Sequence, residues 1–286
     1  MWTIAKLAFK EILYKRIFLI TILMTVAFLL FYAVGIHFAA KETAENLAGI
    51  DAAIQKNFFA TQLLGVGLYF SSFITALLAI LSSVGSVANE IDSHQIDTWL
   101  ARPLPRRSVI IGKFIGLSGL LIGYAVFLFS GVVLINQFVG GGMLAVDLSF
   151  LQFTKALGLF VIQPVILVAV ALLLSSVTTT INGGIVLIIL YGIGFIGGFI
   201  EQLGALMEKA SLINFGIISS LIFPIDSLFR RMTIGLFDTA DDPLSFASQG
   251  MFGSVSSPSD AMLIYTFLYG ALGLWLAIRK FSARDL

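Results

Sequence analysis

Glu90, Asp92 and Asp97, followed by Arg102, Arg106, Arg107 and Lys113, form the densest run of charge in the chain, with Pro103 and Pro105 set among the bases. Acids and bases in this order suit ion pairing and charge-assisted hydrogen bonding rather than bond making. An apolar run ends just before Asn89, and another begins just after Arg107. Charge wedged between two such runs cannot sit in hydrocarbon, so it lies at the water interface and faces something soluble. If residues 90–100 form a short helix, Glu90, Asp92 and Asp97 favour its N-terminal half, and Glu90 and Asp97 share a face. Pro103 and Pro105 end that helix, which leaves Arg106 and Arg107 at the head of the next run.

Other patterns that could carry chemistry are weaker. Gly192, Gly194 and Gly197 fit G-x-G-x-x-G, but the match lies inside an apolar run with no strand before it, so it is not a dinucleotide fingerprint. Gly194 and Gly198, Gly112 and Gly116, and Gly119 and Gly123 each form G-x-x-x-G, which points to close helix packing. Gly112-Lys113 is followed by Phe114 and is not a phosphate-binding loop. Asp241-Asp242 has no second acidic cluster near it and reads as a solvated loop. His37 and His94 are the only histidines and are expected on opposite sides of the membrane, so they share no metal. There is no cysteine, which excludes thiolate sites and disulfides. No catalytic residue, cofactor site or metal site is expected, and the chain contains no energy-converting site of its own.

The elements that must position the charged run are membrane spans. The 286 residues are 58% hydrophobic and 12% charged, with mean hydropathy +1.01, about half the charge of an ordinary soluble domain. Six runs are long enough to cross roughly 30 Å of hydrocarbon: residues 17–40, 61–88, 108–138, 153–177, 181–200 and 261–278. They do not alternate as barrel strands would. The expected fold is an all-α integral membrane protein of six transmembrane helices in a single domain, 1–286. No charged residue is expected well inside any span. Thr75, Ser82, Ser83, Tyr124, Asn136, Gln137, Gln163 and Tyr191 are candidates for hydrogen bonds between helices.

With the N-terminus inside, eleven of the 17 Lys and Arg residues fall on inner segments and six on outer ones. Both termini and the charged run are then cytoplasmic. Residues 1–16 read as an amphipathic helix in the membrane plane, with Trp2, Ala5, Phe9, Ile12 and Leu13 on one face and Lys6, Lys10 and Tyr14 on the other. A signal peptide is disfavoured by the length of the next apolar run. The outer segment 201–260 holds an apolar stretch, 212–223, too short to span and ended by Pro224. It reads as a re-entrant element, followed by a second short helix with Asp226 near its start and an irregular tail, 238–259.

In this setting the charged run resembles the hinge of ABC transporter permeases of the type-2 exporter class. Glu90 and Asp97 stand for the family's two acids, Leu100 for a hinge leucine, then Pro103, Arg106, Gly112 and Lys113. His94 replaces a glycine, Gln95 a threonine, Trp99 a leucine, and Pro105 a serine or threonine. The amphipathic start, the six-span layout and the outer re-entrant segment are also similar. The resemblance implies a permease subunit of an ATP-driven exporter in the cell membrane. It would pair with a second permease copy, as a homo- or heterodimer, and with two separate cytoplasmic ATPase subunits, which would bind the ATP and Mg. Residues 1–16 would be its elbow helix and 89–107 its coupling hinge, with Glu90, Asp92, Asp97, Arg102, Pro103, Arg106 and Arg107 coupling to the ATPase. The mostly apolar interior suits an amphipathic or hydrophobic cargo moved outward. An ATPase-coupled sensor or immunity subunit would use the same hinge without net transport. A membrane-embedded lipid enzyme would need paired acids or histidines at the membrane face, which are lacking. No nucleic acid partner is expected.

Overall fold

Twenty apolar residues in hydrocarbon must pair every backbone amide within the segment, so each long run becomes a helix. The computed structural model describes residues 2–46, 52–93, 105–237 and 258–283. Among them the chain forms eleven helices and no strand. An N-terminal helix α1 (Trp2–Tyr14) leads into α2 (Arg16–Asn46). A second span, α3 (Ala52–Ser83), continues after a break as α4 (Gly85–Asp92). Then come α5 (Arg106–Val139), a single turn α6 (Gly141–Leu144), α7 (Phe150–Val177) and α8 (Thr180–Leu206). The shorter pair α9 (Ala210–Ile222) and α10 (Ile225–Phe237) precedes the last helix, α11 (Asp260–Ser282).

Six helical segments are long and apolar enough to cross a membrane, and they coincide with the six expected runs, extended by a few residues at most ends. Phe223 is extended ahead of Pro224, as the proline ring requires, and α9 and α10 meet at 112°. A broken pair of this kind is a re-entrant element or an interrupted span. Asp226 stands in the first turn of α10, where a carboxylate offsets the helix dipole. The tail 238–257 lies outside the described residues.

Local signals account for several helix ends. Ser149 and Gln152 form a capping box at the start of α7, which satisfies two amides reciprocally. Ser259 caps α11 by accepting from the Met262 amide, with Asp260 in the first turn and Arg279 and Lys280 in the last, all in the favourable sense of the dipole.

The core runs along α3, α5 and α7, through Leu64, Leu68, Ile80, Ile110, Leu121, Phe129, Phe160 and Leu167. By contrast, α2 turns Leu19, Leu23, Leu30 and Phe31 outward, as a lipid-facing span does. Among the expected links between helices, Gln163, beside Pro164 of α7, accepts from Ser72 Oγ at 2.7 Å, and Tyr124 meets Thr25 at 2.5 Å. Gln137 instead donates to the Val146 carbonyl, in the loop before α7, at 2.5 Å.

The N-terminal helix forms where expected but docks through a different stripe. Ile4, Ala5, Ala8 and Ile12 are buried, whereas Trp2, Phe9 and Leu13 are exposed. Small residues let α1 lie close on α5, and the bulky ones face outward. The contact is made at Gly116, where a β-carbon would strike the Ala5 carbonyl. Gly119, by contrast, has nothing within 4 Å. Gly116→Val should therefore cost about 1–3 kcal/mol by overpacking and free α1 for proteolysis. Gly119→Val should be close to neutral. Thermal unfolding of the two variants in lipid nanodiscs checks the contrast.

The glycines of α8 serve packing, not nucleotide binding. Gly194 lies under the Phe223 carbonyl, where a β-carbon would come within 2.6 Å, and Gly198 lies under the Asp226 carboxylate. Their bare faces let the bend between α9 and α10 settle on α8.

Candidate functional site

Val84 interrupts the second span. It keeps a helical conformation (φ −61°, ψ −39°) and donates to the Ile80 carbonyl at 3.1 Å, but the ladder restarts at Gly85. Restarting a helix leaves first-turn amides without intrahelical partners. Here Ser175 of α7 supplies the acceptor: its Oγ takes the Val87 amide at 3.1 Å and the Ala88 amide at 2.9 Å. Ser175 is fully buried, so no water stands in for it. Ser175→Ala should cost about 1–3 kcal/mol, the penalty of unpaired buried donors, and loosen α4. Hydrogen exchange at Val87 and Ala88 reads this out directly as faster exchange than in the parent chain.

The helix that carries Glu90 and Asp92 differs from the one expected over 90–100. It begins at Gly85 and ends at Asp92, so both acids sit in its last turn, not its first. Ser93 closes it, its hydroxyl donating to the Asn89 carbonyl at 2.6 Å. A carboxylate near a helix C-terminus is unfavourable, and a cation from α5 answers it. Lys113 Nζ lies 2.6 Å from Glu90 Oε1 and also donates to the Ser86 carbonyl. Lys113 is 1% exposed. It is therefore a charge buried within the third span, and the expectation that no span holds one is corrected here. Seven residues of α5 precede it, enough to carry its ammonium in from the helix end to the flank of α4.

Three other elements meet at this junction. On α1, Glu11 and Lys15 pair at 2.7 Å, and both act electrostatically on Lys113. Asn89 accepts from Thr180 at 2.6 Å, which ties α4 to the turn between α7 and α8. Arg106 donates to the Ser282 carbonyl at 3.4 Å, which ties the head of α5 to the end of α11. Of the seven expected coupling residues, Asp92 and Arg107 are exposed, Arg106 is partly buried, and Glu90 turns inward. Asp97, Arg102 and Pro103 lie outside the described residues.

A second charged cluster was not anticipated. Arg230 of α10 grips Glu201 of α8 through both terminal nitrogens, at 2.7 and 3.0 Å. Its Nε stands 2.9 Å from Asp226 Oδ2, without the alignment of a hydrogen bond. Arg230 is 2% and Glu201 5% exposed. A planar guanidinium suits this double engagement in a way an ammonium does not. The sequence signal was present but slight: Asp226 and Arg230 are four apart on one helix, and Glu201 falls one residue past the expected end of its span. Charge inside the bundle follows once the bend at Pro224 folds α10 back against α8. On the exposed side of α10, Arg231 pairs with Asp260 at 2.7 Å.

No curated protein matches the chain. A family match covers nearly all of it: residues 2–275 fit the family described as ABC-2 family transporter protein. The match takes in α1, all of the first five spans, the broken pair and most of α11. With six helices fit to span a bilayer, the chain belongs to the ABC-2 transporter family and is a membrane-spanning permease subunit of an ABC transporter.

Proposed function

We propose that this permease is one half of the membrane part of an ATP-driven exporter. A second permease copy completes it, and each copy docks on a separate cytoplasmic ATPase that binds ATP and Mg. The assembly lies in the cell membrane with both termini cytoplasmic, and it moves an amphipathic or hydrophobic cargo outward. The observation that carries this reading is the junction at α4. One short helix, set off by a break, is tied to the third span by Lys113–Glu90, to the fourth by Ser175 and to the turn before the fifth by Asn89–Thr180. A push on that helix reaches three spans at once.

Within this reading the coupling residues divide the work. Asp92, Asp97, Arg102, Pro103 and Arg107 serve the ATPase side of the hinge, and Glu90 and Arg106 hold it to the bundle. α1 slides or tilts in the interface as the elbow helix.

Purification of the tagged full chain in mild detergent from its native cell, with mass spectrometry and an ATP-hydrolysis assay, tests the assembly. Recovery of a separate ATPase chain at about equal stoichiometry is expected. Asp92→Lys and Arg107→Glu should lower that recovery while the permease still inserts. Recovery of the permease alone under several gentle conditions overturns the reading. Directional flux in vesicles then separates an exporter from an ATPase-coupled sensor.

A further inference from the structure

Beside the Glu201–Arg230–Asp226 cluster lies a small, partly open cavity of about 20 Å³, room for one water or one ammonium group. Four aromatic rings face it, from Tyr69 of α3, Tyr191 and Phe195 of α8, and Phe229 of α10, together with the Asp226 carboxylate and the Gln163 amide. The rings form a connected wall. Tyr69 lies 5.2 Å from Phe195 and 5.4 Å from Phe229, and Tyr191 lies 6.2 Å from Phe195, centroid to centroid. Ring faces attract a cation, more strongly once water is excluded. Arg230 does not fill this role, because Glu201 holds its terminal nitrogens and it does not line the cavity. Asp226 Oδ2 is buried and met only by Arg230 Nε at 2.9 Å, without the alignment of a hydrogen bond. The three charged side chains carry two carboxylates to one guanidinium, a balance that favours one further positive charge.

We infer that this cavity binds the protonated amine of an amphipathic cargo. The ammonium would lie between Asp226 and the rings of Tyr69, Tyr191, Phe195 and Phe229, with the Gln163 side-chain oxygen as a further acceptor. A volume of one water admits a primary ammonium and excludes a quaternary one. The wall crosses three elements, α3, α8 and α10, so an occupant would join the second span, the fifth span and the re-entrant pair. The inference rests on the permease reading and names the cargo class.

Full-length chain in lipid nanodiscs, without any ATPase, is titrated with dansylcadaverine, a fluorescent primary amine. Saturable binding is expected, displaced by n-octylamine and not by n-octanol. N-acetyl-dansylcadaverine, which lacks the charge, should bind at least about tenfold more weakly. Asp226→Asn should weaken binding by a similar factor. Phe229→Leu and Phe195→Leu, which leave every charge in place, should each weaken it several-fold. These ring variants keep the test valid if Asp226→Asn does not fold. Equal binding of the amine and its acetylated form, or ring and Asp226 variants that bind as the parent does, overturns the inference, as does the absence of saturable binding. If an ATPase co-purifies and the amine fails to bind, only the cargo class falls. If the amine binds and no ATPase co-purifies, only the ABC assembly falls.

Discussion

Replacing Arg230 with Met should destabilise the protein by about 3–5 kcal/mol, because it strands the buried carboxylates of Glu201 and Asp226 together. The two acids gain nothing from the exchange, because methionine offers neither a charge nor a donor. Arg230→Lys should fall between, since an ammonium cannot grip both Glu201 oxygens at 2.7 and 3.0 Å and still reach Asp226. Removing all three charges at once is a different matter. A Glu201→Met, Arg230→Met, Asp226→Leu chain should recover much of the loss, because apolar replacement of a complete buried cluster is often neutral or stabilising. Thermal unfolding in nanodiscs ranks the four proteins. A Met variant that melts with the parent would show that the cluster does not hold α10 against α8. Recovery by the triple variant without recovery of amine binding would separate the cluster's structural role from its part in the cavity.

The Lys113–Glu90 pair should behave in a parallel way at the other charged junction. Glu90→Met leaves an ammonium that is 2% exposed with the Ser86 carbonyl as its remaining partner at this junction, and Lys113→Met leaves a carboxylate that is 12% exposed without its 2.6 Å cation. Each single change should cost about 3–5 kcal/mol. The double variant should cost much less than their sum, because each substitution removes the partner that the other strands. A double-mutant cycle on unfolding in detergent provides the test, and additive costs would show that the 2.6 Å contact contributes nothing of its own. In the assembled transporter, the double variant should stay folded and bind the ATPase through Asp92 and Arg107, yet lose the link from α4 to the third span. Permease-dependent stimulation of ATP hydrolysis should therefore fall while ATPase recovery holds. Equal stimulation in parent and double variant would place the transmission elsewhere in the junction.

The contrast between these charges and their visibility in the sequence has a physical cause. Glu90 and Arg107 were legible as functional candidates because charge beside a long apolar run has one place to go, the interface. Whether a given side chain then points out to a partner or in to the bundle depends on the phase of its helix against its neighbours. Here α4 ends at Asp92 with Glu90 turned towards Lys113 of α5. Lys113 reads as one more basic residue near a span end until α4 is placed beside it. Glu201 and Arg230 lie 29 positions apart and meet only because Pro224 reverses the chain.

Hydropathy alone determined that this protein is helical, where its six spans run and that 212–223 is too short to make another crossing, since backbone pairing in lipid leaves no other solution for apolar runs of that length. The charged run determined the family resemblance, and the small-residue spacing determined where helices approach, as Gly116, Gly194 and Gly198 show. Only the tertiary structure decided which small residues are used and which stand open, which acids face a partner and which are held inside. It also placed one carboxylate and four aromatic rings from three separate elements around one cavity. Spans follow from the cost of burying each segment's own backbone, a local quantity. Ion pairs and cavities depend on the rotation and tilt of helices against one another, which no single segment encodes.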